Sequence, residues 1–306
     1  MSVLAASAPR PDAGGDSSQV MAGAESRRPS MAYLLLLPGV LWLGVFFVFP
    51  LVQLAAVSLQ SGWPDFPGYY YRDLNFSNYT EALSAYAPHF ARSFLYAGAA
   101  TVLAFLLAYP LAYAMAFKAG RWRGLMMIGV IAPFFVSFIL RTFAWSQILG
   151  DESWVVELLN FLHLLPGDRL INTPFAVVAG LTYNFLPFMV LPIYASLERA
   201  DPRIIEAGGD LYANGLTTFR TVTLPMSMPG VLAGTLLTFI PAAGDFVNME
   251  LLGPQKGTMV GNVINNQFLA VPGGYPTAAA LSFTLMPAIL VLVFLYVRKF
   301  GTEELV

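Results

Sequence analysis

Six stretches without a single Asp, Glu, Lys or Arg constrain this chain more than any other feature. They cover residues 31–63, 93–117, 124–140, 171–197, 221–244 and 257–297. Each reaches or nearly reaches the roughly 20 apolar residues that cross a hydrocarbon core. Backbone N–H and C=O groups in lipid must be satisfied within the segment, so such stretches fold as helices. The expected fold is an all-α membrane protein with six transmembrane helices, near 32–59, 92–117, 125–149, 175–197, 226–252 and 277–297. Composition agrees: 57% of residues are hydrophobic and 11% charged, far from a soluble domain.

Several chemistries are excluded. The chain has no cysteine, which removes disulfides, thiol nucleophiles and thiolate metal sites. His89 and His163 fall in different loops, so no metal site is expected. No Lys is followed by Ser or Thr, so the chain lacks a phosphate-binding loop, and ATP, if used, is bound by another subunit. No serine has an identifiable base beside it, which argues against an enzyme. No cofactor and no nucleic acid are expected as partners; membrane lipid is. No repeat and no separate soluble domain is evident.

Residues 1–30, rich in Ala, Gly, Ser and Pro, read as a disordered tail, followed by a permease-sized membrane domain over 31–300 and a short tail, 301–306. The first apolar run is too long for a signal-peptide core and reads as an uncleaved anchor. With the N-terminus inside, the inner segments hold Arg10, Arg27, Arg28, Lys118, Arg121, Arg123, Arg199, Arg203, Arg220, Arg298 and Lys299. The outer ones hold only Arg72, Arg92, Arg169 and Lys256. That bias places both termini in the cytoplasm. The aromatic outer loop 60–91 suits an interfacial belt or a contact with a substrate-delivering protein.

Between the fourth and fifth runs lies the polar stretch 206–225, EAGGDLYANGLTTFRTVTLP. Asp201 can cap a helix that Pro202 begins. Glu206 and Asp210, four residues apart, share one face of it. Asn214-Gly215 reads as a stop, and residues 216–223 as a second short helix ended by Pro225. A charged helix–turn–helix on the inner side suits a lever that grips a soluble partner, and equally an ordinary solvated loop.

Two charges lie within expected spans. Arg141 sits in the outer half of the third; a membrane-embedded Arg marks a functional site by default, against which stands snorkelling or pairing with Asp151 or Glu152. Asp245 lies in the fifth, beside Pro241 and Gly244, which loosen a helix; it suits either a substrate contact or a structural pair with Arg141. Phe246 and Glu250 follow toward the outer end. Tyr183 and Asn184, near the middle of the fourth span with Pro187, suit a lined pathway or helix packing.

Glu206-Ala207, Val222 and Leu224-Pro225 stand at intervals that resemble the EAA loop of ABC importer permeases. The resemblance implies a type I permease fold in which this loop is the coupling helix, with Glu206, Ala207, Asp210, Gly215, Leu224 and Pro225 at the contact with an ABC ATPase subunit. Gly208 stands where the family favours Ala, and Tyr212 where it usually has Gly, leaving Gly215 to supply the turn. Arg141-Thr142-Phe143-Ala144-Trp145, 241–246, 250–253 and 261–264 resemble the spermidine/putrescine branch. That branch implies polyamine import across the bacterial cytoplasmic (inner) membrane, a second and usually distinct permease chain, and an extracytoplasmic solute-binding protein. Asp245, Arg141, Tyr183, Asn184, Phe246 and Glu250 are the candidate pathway residues. Import of another small solute through Arg141, or an ion-gradient-driven carrier, are the alternatives.

Overall fold

The computed structural model describes residues 29–63, 66–162, 169–212 and 214–300. The expected tails at 1–30 and 301–306 lie outside these, apart from the first residues of the opening helix, as do His163 and the inner arginines Arg10, Arg27 and Arg28. The chain divides into two compact units, Met1–Gln53 and Leu54–Val306.

In the first unit, α1 (Pro29–Leu43) runs into a π-helical turn, Gly44–Val48, and then into the start of α2 (Phe49–Ser58). Pro50, the second residue of α2, has no N–H to give the Phe46 carbonyl inside that turn, and the hydrogen-bond ladder re-forms there with a wider step. Pro38 sits inside α1. Side chains from Leu36 to Val52, Trp42 and Phe46 among them, are largely exposed, as a lipid-facing helix requires.

The second unit begins with the end of α2 and a hairpin, β1 (Ser61–Trp63) and β2 (Phe66–Tyr71), paired antiparallel. Next comes α3 (Ser77–Tyr113), continued by a π turn, Ala114–Lys118. It starts 15 residues, about four turns, ahead of the expected boundary at 92, because Glu81 and Arg92 interrupt the uncharged sequence but not the helix. α4 (Arg123–Ile131), a 3-10 turn Ala132–Phe135, and α5 (Phe138–Ile148) make up the third apolar run. They are not the single rod expected over 125–149: Pro133 lies in the turn, Val136 and Ser137 are extended, and the two arms meet at 99°.

A short amphipathic helix, α6 (Trp154–Phe161), precedes α7 (Pro174–Arg199), which Thr173 caps through the Ala176 N–H. The elbow follows as α8 (Pro202–Tyr212), α9 (Gly215–Thr218), a π turn Phe219–Thr223, and α10 (Leu224–Met226). The expected fifth span, 226–252, is divided into α11 (Met228–Ala243) and α12 (Val247–Leu252) by a break at Gly244–Phe246. Then come α13 (Val260–Leu269), read from sequence as no helix at all, and α14 (Tyr275–Phe300). Among the described residues, four helices are long and apolar enough to cross a membrane, or up to six if each bent pair counts as one span.

Small residues set the core. Ala97, Ala100, Ala104, Ala108 and Ala112 form a fully buried stripe along α3; the first two pack with Val177 and Leu181 of α7 and Ala242 of α11, the other three with Met189, Val190 and Ile193 of α7 and Val231 of α11. Gly230 and Gly234, one turn apart on α11, meet α7 so closely that a Cβ at Gly230 would lie 2.4 Å from the Pro192 carbonyl oxygen. Lipid supplies no hydrophobic drive between helices, so close backbone approach and dispersion hold this bundle together.

Candidate functional site: an elbow and a polar network

Asp201 accepts the Arg203 N–H at 2.9 Å and starts α8, as its position before Pro202 suggests. Asn214 does the same for α9, accepting the Leu216 N–H at 3.0 Å. Gly215 is therefore a helix start and not a turn-maker; the described glycines with positive φ are Gly120, Gly257 and Gly273. The second arm runs Gly215–Met226 and ends one residue past Pro225; the π turn Phe219–Thr223 just before it widens the ladder and accommodates the proline's missing N–H. The chain bends by 71° afterwards, at Ser227, whose hydroxyl bonds Tyr109 of α3 at 2.7 Å.

The two arms of the elbow are locked at Gly208. Thr218 donates to the Gly208 carbonyl at 3.2 Å, and a Cβ on Gly208 would stand 3.0 Å from a Val222 methyl carbon and 3.2 Å from that of Thr218. The missing methyl thus accounts for Gly in place of the Ala expected there: the second arm fills its space. The opposite face is open. Glu206, Ala207 and Asp210 are exposed, beside Ile204 and Leu211, the latter 76% exposed. Tyr212 has no described side chain. A cavity of about 630 Å³ lies behind the elbow, walled by Phe105, Tyr109 and Tyr113 of α3 and by Gly209, Thr218 and Phe219. Arg123 forms an ion pair with Glu198 and lies 5.0 Å from the Tyr194 ring centre, joining the start of α4 to the end of α7.

Toward the other end, four elements meet through amides. The Asn184 Nδ2 of α7 donates to Thr142 Oγ1 of α5 and to Asn248 Oδ1 of α12, both at 2.9 Å. The Asn248 N–H donates to Asp245 Oδ1 at 2.8 Å. Asn262 of α13 donates to the Phe246 carbonyl at 2.9 Å and to Glu250 Oε2 at 3.0 Å. Gly180 and Gly261 make room: a Cβ on Gly180 would lie 2.8 Å from Asn248 Oδ1, and one on Gly261 2.5 Å from the Gly244 carbonyl oxygen. Buried amides in a membrane helix need such partners, since unpaired polar groups are costly there.

The structure therefore brings Asn184 and Asp245 together through Asn248, and Phe246 and Glu250 together through Asn262. It does not pair Arg141 with Asp245, nor with Asp151 or Glu152. Among the described residues the ion pairs are Arg123–Glu198 and Arg169–Asp151. Arg141, 8% exposed, instead lies over the rings of Phe134 and Phe138, 4.8 Å and 5.7 Å from their centres. These two aromatics flank the bend between α4 and α5, so the cation is held by ring faces where the span turns. Tyr183, half-buried, packs its ring 5.3 Å from Trp145.

Thr142 and Asn262 entered the sequence reading only as members of resembling motifs, and Asn248 and Phe134 not at all. For Asn248 the signal was present: Asp followed three residues later by the first turn of a helix is a capping pattern.

Known proteins resemble this chain closely. It matches the binding-protein-dependent transport system inner membrane component family over residues 100–300. It is 35% identical to the spermidine/putrescine transport system permease protein PotB of Haemophilus influenzae, covering 84% of this chain and 90% of that one. The PotB of Escherichia coli is 33% identical over 80% of this chain and 88% of its own length. Inner membrane ABC transporter permease protein YdcU of the same species is 32% identical over 89% and 90%. The fold matches a bacterial ABC transporter involved in the import of the acidic polysaccharide alginate, with a TM-score of 0.66 at 16% identity over 90% of this chain and 97% of that one. Its complex with a pentasaccharide-bound periplasmic protein gives 0.68 at 15%, over 90% and 96%. The chain is a transport subunit of the bacterial inner membrane and belongs to the family of binding-protein-dependent transport system inner membrane components.

Proposed function

We propose that this chain is the permease subunit of an ATP-driven importer of polyamines such as putrescine and spermidine. The observation that carries the substrate class is the similarity to PotB along most of both chains. In this reading ATP is hydrolysed on a partner ABC subunit, a second and distinct permease completes the path, and an extracytoplasmic binding protein delivers the cargo. Both termini lie in the cytoplasm, consistent with the bias of Lys and Arg toward one set of loops. The elbow is the coupling element: Glu206, Ala207 and Asp210 face the ATPase, while Gly215, Leu224 and Pro225 carry the motion into α11. Its support is physical. The outward side of α8 presents carboxylates beside exposed Ile204 and Leu211, a mixed patch that a soluble domain can cover. The Gly208 lock makes α8 and α9 move as one body, which a lever requires. Residues Arg141, Tyr183, Asn184, Asp245, Phe246 and Glu250 flank the path on the far side.

Glu206→Arg tests this assignment. With all partner subunits present, the variant inserts normally but loses ATP-dependent putrescine uptake; wild-type uptake would contradict it. Arg141, a buried cation that a polycationic cargo does not need, favours a second reading, an importer of a different small solute such as an anion. Uptake by the wild-type complex that ignores both putrescine and spermidine would decide for it.

A further inference from the structure

We infer that Phe246 and Glu250, held by Asn262, form the subsite that takes one ammonium group of the transported amine. The inference rests on the polyamine reading above and makes it specific.

The two acidic side chains at the α11–α12 break do different work. Asp245 is 8% exposed and its Oδ1 already accepts the Asn248 N–H, so it closes the first turn of α12. Glu250 is exposed. One of its oxygens takes the Asn262 amide at 3.0 Å, and among the described residues no Lys, Arg or His forms an ion pair with it. Phe246 precedes it by four residues and is 41% exposed.

Asn262 fixes the pair. Its Nδ2 holds the Phe246 carbonyl and the Glu250 carboxylate together, so backbone and side chain of the two residues keep one spacing. The other end of that amide, Asn262 Oδ1, is buried and has no donor; the residue is 6% exposed. The buried Asn262 thus braces the pair from behind, and a carboxylate without a counter-cation and an aromatic side chain one turn away are left to meet a cation. A primary ammonium offers three donors and a compact positive charge that an aromatic face also attracts. Polyamines end in such groups. An anionic or neutral cargo would gain nothing here.

The experiment is uptake of radiolabelled putrescine and spermidine by the complete transporter, with its partner subunits, reconstituted into liposomes. Glu250→Gln keeps an oxygen to accept from Asn262 and removes only the charge; KM for both amines rises about ten-fold, equivalent to roughly 1.4 kcal/mol. Glu250→Asp recovers part of that loss, and Phe246→Leu raises KM by a smaller factor with the fold unchanged. Glu81→Gln, which removes the same charge from an exposed position outside the subsite, changes KM by less than about two-fold. An unchanged KM in Glu250→Gln, or an equal rise in Glu81→Gln, overturns the inference while leaving the polyamine reading intact. A wild-type complex that moves neither amine removes that reading and the subsite with it.

Discussion

Substituting Gly261 by Ala puts the polar network under the most direct structural test. An added Cβ would lie 2.5 Å from the Gly244 carbonyl oxygen and 2.8 Å from that of Asp245. Carbon–oxygen contacts settle near ~3.3 Å, so α13 must retreat by most of an ångström, and both obstructing atoms are backbone. Asn262 is the next residue, and its 2.9 Å and 3.0 Å bonds to the Phe246 carbonyl and Glu250 stretch beyond useful length. Losing the neutral bond costs about 1 kcal/mol and the one to a carboxylate about 1.5–3 kcal/mol. Residual overpacking adds about 1–3 kcal/mol. A loss of roughly 3.5–7 kcal/mol lowers the thermal midpoint by at least about 7 °C. The purified complex in detergent reports this by tryptophan fluorescence, and uptake falls in the same preparation. A Gly261→Ala protein with a wild-type midpoint and wild-type uptake would refute the close approach of α13 to the break.

Other substitutions test the remaining joints. Gly209→Ala meets nothing within 4 Å and stabilises α8 by about 1 kcal/mol through helix propensity. Its neighbour Gly208→Ala forces Val222 or Thr218 aside and gains nothing; equal midpoints for the two would dissolve the elbow lock. Asn184→Leu leaves Thr142 and Asn248 without their shared donor, costing about 1–3 kcal/mol, and separates α5 from α12; unchanged stability and uptake would remove Asn184 from the network. Arg123→Gln breaks an ion pair whose partners are each about two-fifths exposed, so stability changes by less than about 1 kcal/mol, and a larger fall in midpoint would count against that estimate.

The helices were legible because an uncharged run in lipid has few alternatives. Their breaks and ends were not. Pro133 was visible, yet prolines at 38, 88, 110, 187, 192, 241 and 287 sit inside continuous helices, so proline alone does not forecast a 99° bend. α3 extends outward through Glu81 and Arg92 because a helix may continue into water with charges on it. α13 escaped notice since ten residues with three asparagines and a glutamine, 260–269, carry no membrane signal; its role is to place Asn262. The elbow was legible as two capped helices, whereas the part played by Gly208 depends on contact with Val222, which no spacing reveals. Expecting Arg141 and Asp245 to pair followed from charge economy in lipid. Each instead has its own partner: two aromatic rings for one, a helix N–H for the other.

The lever claim has a direct measurement, made simple by the absence of cysteine from the chain. Ala207→Cys places a single thiol on the exposed side of α8. The account predicts that it crosslinks to the ATP-hydrolysing partner in membranes, and that a membrane-impermeant thiol reagent added to intact cells leaves it unlabelled. Labelling from outside, or crosslinks that never reach that partner, would contradict it.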